Sequence, residues 1–164
     1  MAELTNLESK LGEVTGLAMA AKAATTTVSK LARDDHEELI AELERMNEEA
    51  AETERRCKEL GESLDGKKTA FLEEARATKD KGASMMDIYL DDDSDALDGF
   101  EFLTMAEAGE VGHWEVLGAL ARNAQRQEVI ELVDWALPIQ QRHLAVARET
   151  SGRLAAAEDP NESS

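Results

Sequence analysis

The chain has one cysteine, Cys57, and two prolines, Pro138 and Pro160, among 164 residues, and its aromatics are two Trp, one Tyr and three Phe. A single cysteine excludes an internal disulfide and a CxxC redox pair, and the place of Cys57 on an apolar helical seam points to packing. That usage agrees with a reducing, cytoplasmic setting. Basic residues are also scarce: 18 Lys and Arg stand against 36 Asp and Glu, for a formal charge of -18. Such a field repels phosphate backbones and anionic lipid, so neither nucleic acid nor a membrane surface is expected as a partner. No stretch approaches the roughly 20 apolar residues that span a bilayer, and no basic region followed by an apolar run opens the chain. Gly99, Gly109, Gly112 and Gly118 are scattered along one helical segment and form no strand-to-helix phosphate loop. No Ser-His-Asp or Cys-His constellation is recognisable, so no catalytic residue is assigned.

What is present is helical periodicity. Leu4, Leu7, Leu11, Val14, Ala18, Ala21, Thr25, Val28 and Ala32 recur at spacings of three and four, which predicts a first helix over residues 2–31. Gly12 and Gly16 lower its propensity without breaking it. Its small residues at 18–24 permit close approach of another helix and suggest a homodimer surface. Asp34 and Glu37 have capping-box spacing, which predicts the start of a second helix. Its seam is Leu39, Leu43, Met46, Ala50, Thr53, Cys57, Leu60 and Leu64, stopped by Gly61 and by Asp65-Gly66. Whether the first two helices are continuous is left open at Arg33.

Residues 67–90 read as a shorter third helix in the crossover, with Ala70, Phe71, Ala75, Thr78, Met85 and Tyr89 on one side and an irregularity near Gly82. The run Asp91-Asp92-Asp93-Ser94-Asp95 lacks the glycine and glutamate spacing of a calcium loop and suits a helix start, with Ser94 or Asp95 as cap. A fourth helix follows over residues 100–122. After a break at 123–125, the last helix carries Val129, Leu132, Val133, Ala136, Ile139, His143, Val146 and Ala147, with a bend or division expected at Pro138. Trp114 and Trp135 are expected at the bundle edge. No period-two strand competes. The expectation is an all-α antiparallel bundle over residues 1–154, with four principal helices, a short additional helix in the central crossover, and a flexible acidic tail at 155–164.

Chemistry between helices is suggested by the fourth helix. A stripe of Phe102, Met105, Ala106, Gly109, Val116 and Leu120 runs through His113, with Glu110 one turn before it and Glu107 a further turn back. Carboxylate and imidazole on one interior stripe are how bundles present metal ligands. Gly109 and Gly112 are expected to allow close helix packing. On the last helix Gln140-Gln-Arg-His143 repeats the spacing with an amide in place of the carboxylate. Glu49 is a candidate from the second helix, and His36 reads as an exposed structural residue.

The residues from Glu52 to Gly61, then Lys67-Lys68, Glu73-Glu74-Ala75 and His113-Trp114-Glu115-Val116, resemble the ferritin-like superfamily, and within it small bacterial stress proteins with an uncharacterised ferritin-like domain. The resemblance implies a ferritin-like four-helix bundle, a dimer, an association with stress responses and a carboxylate and His centre for Fe or Mn. The chain departs from that pattern at Gly112, where such proteins commonly carry Glu, and at Gln140 and Gln141. The expected function is therefore a ferritin-like, stress-associated scaffold that is non-enzymatic or holds a degenerate metal site, with a protein partner. The alternative is a di-iron or di-manganese protein acting on peroxide or oxygen, with Glu49, Glu107, Glu110, His113 and His143 as ligands.

Overall fold

The computed structural model describes residues 2–163, and they form five α-helices: α1 (Asn6–Ala32), α2 (Ile40–Glu62), α3 (Lys68–Tyr89), α4 (Ala96–Asn123) and α5 (Gln127–Ala156). Among these residues no helix is long and apolar enough to cross a membrane.

Helix starts follow local capping chemistry. At α1, Thr5 Oγ1 accepts from the Glu8 amide at 3.2 Å while Glu8 Oε2 accepts from the Thr5 amide at 2.7 Å, a complete capping box. Asp95 and Asp98 form the same box at α4, as the acidic run suggested. The box expected at Asp34 and Glu37 does not form. The chain turns through residues 33–36, enters a short 3-10 turn at Glu37–Leu39 and starts α2 without a side-chain cap. α1 and α2 are thus separate helices. α3 runs unbroken through Gly82, and α5 is not divided at Pro138. Gly66, at φ +69°, makes the left-handed turn between α2 and α3, a conformation that disfavours side chains.

Contacts between named residues give the topology. Lys22 with Glu54 and Asn47 with Thr25 make α1 and α2 antiparallel. Lys10 beside His113 and Gly99 against Val28 make α1 and α4 antiparallel, as Thr104 with Ser151 and Arg122 with Asp134 do for α4 and α5, and Arg142 with Glu49 and Arg56 with Trp135 do for α2 and α5. The four helices form a square in which every neighbouring pair is antiparallel, and α2 and α4 point the same way. α3 makes this possible. It carries the chain back along the bundle, lying parallel to α1 on its outer side, and at 22 residues it is nearly as long as α2.

The interior comprises two apolar clusters. One holds Leu11, Val14, Cys57, Phe71, Trp114, Leu117, Val129 and Val133; the other holds Val28, Leu39, Leu43, Phe100, Leu103, Ala147 and Leu154. Trp114 is completely buried, contrary to the expected edge position, because it falls on the true core stripe of α4. Trp135 does sit at the edge, with the Arg56 guanidinium 4.0 Å from its ring centroid. α3 splits unevenly: Phe71 and Ala75 are buried, whereas Met85 and Tyr89 of the same expected face are exposed.

Candidate functional site

Between the two apolar clusters the bundle buries a layer of polar side chains. α4 contributes Glu107 and Glu110, and α5 contributes Gln140 and His143, all at most 3% exposed. Each pair replaces two apolar residues in a continuous seam. On α4 the buried sequence is Leu103, Glu107, Glu110, Trp114, and on α5 it is Ala136, Gln140, His143, Ala147, with identical steps of four, three and four. The helices therefore bring the two pairs face to face at one level. α2 supplies Glu49 from the margin. From α1 the layer receives small side chains, Ala18 and Ala21, and Thr15, whose hydroxyl donates to the Leu11 carbonyl at 2.7 Å.

The orientation of Gln140 is set by its neighbours. With its amide nitrogen toward the two carboxylates it donates to Glu107 Oε2 at 2.9 Å and to Glu110 Oε2 at 3.2 Å. His143 lies between two other oxygens, its Nδ1 3.7 Å from Glu107 Oε2 and its Nε2 3.5 Å from Glu49 Oε2. Arg142, half-buried beside the layer, pairs with Glu49 and reaches Glu42 at 3.2 Å. A chain of polar groups thus runs from Glu110 through Gln140, Glu107, His143 and Glu49 to Arg142 near the surface.

Burial, and then the charge of Glu107, push the Glu110 carboxyl well above the usual carboxylate range. Burial acts in the same direction on Glu49 but is outweighed by Arg142, with help from His143 and Arg45, so that Glu49 is held below its ordinary value. Glu110 is thus driven toward its protonated form at one end of the layer, while Glu49 is held in an ion pair at the other. Cys57, close by, is inert as a thiolate because burial pushes it up to about 12.

The predicted ligands divide. Glu49, Glu107, Glu110 and His143 come together; His113 does not join them. Its side chain is 42% exposed and meets Glu13 Oε2 at 3.3 Å and Lys10 Nζ at 3.2 Å. The expected stripe through His113 was rotated from the real one, which leaves Met105 and Val116 on the surface at 37% and 47% exposure. Gly109 and Gly112 face open space and admit no neighbouring helix. The unanticipated members are Gln140, as a bridge between carboxylates, and Arg142.

The donors do not converge as a site for Fe or Mn requires. Glu107 and Glu49 approach opposite ring nitrogens of His143, so a cation on one nitrogen would be remote from the carboxylate at the other. The Gln140 nitrogen occupies the approach to both Glu107 and Glu110. Among the described residues no group of three or more His, Cys, Asp or Glu is arranged to hold a metal ion.

Compared with known proteins, the chain matches no family model, no curated protein and no solved structure.

Proposed function

We propose that this chain is a non-catalytic helical scaffold of ferritin-like design, in which the level of the bundle used elsewhere for metal is filled by a buried polar layer bridged by Gln140, with His143 Nε2 left without a hydrogen-bond partner. The carrying observation is Gln140 donating to Glu107 and Glu110 at once. An amide neutralises no cation, but it satisfies two buried carboxyls that would otherwise be costly to desolvate. Two features support the ferritin-like part of the reading. The topology has a single long crossover between parallel helices, and paired polar residues spaced i, i+3 face inward from two adjacent helices, both recurrent in that architecture.

The test is Fe(II) and Mn(II) titration of the purified chain beside His143→Asn and Gln140→Glu. The scaffold reading expects no saturable uptake in the parent beyond that of His143→Asn. It also expects Gln140→Glu to unfold more easily by about 2–4 kcal/mol, since a third carboxyl then lacks a donor in the buried layer. Stoichiometric uptake by the parent that His143→Asn abolishes would replace this reading with the di-iron or di-manganese one.

A further inference from the structure

α3 packs on α1 as far as Gly82, and beside its second half α1 and α4 leave an apolar groove of about 270 Å³, with the Tyr89 and Phe102 rings 6.2 Å apart at its far end. Leu17 and Ala20 of α1 form its floor, Gly82 and Met86 of α3 one wall, and Phe102 and Met105 of α4 the other. Apolar surface continues beyond the groove: Met85 is 45% exposed, Tyr89 56% and Ile88 78%. Unbranched methionines at a groove lip adapt to many partner shapes and are characteristic of surfaces that receive helices.

Charge around this groove is one-sided. Residues 82–121 contain no Lys or Arg. Asp87, Asp91, Asp92, Asp93, Asp98 and Glu101 are all exposed about the end where α3 passes into α4. Lys79 and His113 lie among the lining residues, on the earlier part of α3 and the later part of α4, and so at the opposite end. Glu107 and Glu110 of the buried layer also reach the groove, which therefore has a largely apolar floor and one strongly acidic exposed end.

We propose that the α3–α4 groove docks a basic amphipathic helix of a partner protein, apolar side inward and its Lys and Arg over the acidic end. A second copy of this chain is disfavoured as occupant. Two molecules that each carry a formal charge of -18 repel one another, whereas a basic helix is drawn to the acidic end. The inference rests on the scaffold reading and deepens it by naming a partner class; although Glu107 and Glu110 border both, the metal titration is read at His143 and the following experiment at Met85 and Met105 on the groove lip, so the two failures are distinguishable.

The probe is a fluorescent 18-residue Leu/Lys peptide with Leu at i, i+3, i+4 and i+7, compared with a scrambled peptide of the same composition and titrated into the full chain at about 0.15 M salt. The expected outcome is saturable 1:1 binding at least about tenfold tighter than the scrambled peptide, a gap of roughly 1.4 kcal/mol. Met105→Lys and Met85→Lys, both at exposed positions, should each weaken it about tenfold, whereas Val116→Lys, which adds the same charge to an exposed apolar site of α4 outside the groove, should change it less than about twofold. Equal affinity for the two peptides would reduce the effect to charge attraction and overturn the proposal. So would equal losses in the groove variants and Val116→Lys. A parent dimer that Met105→Lys converts to monomer in sedimentation equilibrium would assign the groove to a second copy and overturn it as well.

Discussion

The first half of α3 is held against α1, whereas its second half carries apolar side chains into solvent. Its first half lies so close to α1 that a β-carbon on Gly12 would come within 2.8 Å of the Glu74 side chain, and one on Gly16 within 2.3 Å of the Ala75 carbonyl oxygen. Gly12, Gly16 and Ala20, each four residues apart, form a small-residue track facing Phe71, Ala75, Thr78 and Gly82. The second half has Met85, Ile88 and Tyr89 exposed. Composition does not separate the halves, which carry four charged residues each. Backbone proximity does: small residues on α1 let α3 bury Phe71 and Ala75, and beside the second half a groove opens.

The largest expected effect comes from breaking the close half. Gly16→Ala must displace backbone, since the atom it meets is a main-chain oxygen, and it should destabilise the chain by about 2–3 kcal/mol despite Ala's better helix propensity. Urea denaturation of parent and variant measures this. A change under about 0.5 kcal/mol would show that α3 is not held at the observed distance.

A smaller effect should distinguish how the close half is anchored. Lys67, the residue preceding α3, donates to Glu8 Oε2 at 2.7 Å, which ties the start of α3 to the start of α1. Burial pushes the Glu8 carboxyl up, but Lys67 and the Thr5 amide and hydroxyl outweigh it, and Glu8 is held below its ordinary 4.5 in the folded chain. A carboxyl whose folded pKa is depressed contributes stability that is present above its unfolded value and lost as pH falls through the folded one. The contribution, about 1–2 kcal/mol for a charge-assisted hydrogen bond, should therefore be complete above pH 5 and fade below pH 4.5. Lys67→Met should flatten that part of the stability profile against pH. An unchanged profile would mean that other carboxylates account for the acid loss.

How much of this was legible in sequence depends on what occupies the buried stripe. On α1 every seam position from Leu7 to Ala32 is buried as expected, because apolar and small residues alone mark it. On α4 the buried stripe carries Glu107 and Glu110, so apolar residues at helical spacing mark a neighbouring face instead, the one that holds His113. The signal was available in the four-three-four step: Leu103 and Trp114 bracket the two Glu residues as Ala136 and Ala147 bracket Gln140 and His143. Two polar pairs set in register within apolar seams imply a buried layer, whereas one Glu-x-x-His spacing in a Glu-rich chain implies little. The groove was beyond sequence reading because the separation of α3 from α4 depends on which helix α3 follows.

The smallest effect sharpens the comparison from the open side. Gly109 and Gly112 sit within α4, and a β-carbon at either would meet nothing within 4 Å. Neither is needed for packing, so each carries only the entropic cost of glycine in a helix. Gly109→Ala and Gly112→Ala should each stabilise the chain by about 0.5–1 kcal/mol, opposite in sign to Gly16→Ala on the same chemical change. Only Gly109 belongs to the groove lining. Its added methyl narrows the site, so Gly109→Ala should weaken binding of the Leu/Lys peptide while Gly112→Ala leaves it intact. Stability gained at both positions with affinity lost at one would show that the open half of the α3–α4 interface is kept open for an occupant. Destabilisation by either would mean that α4 is packed there against something the isolated chain supplies.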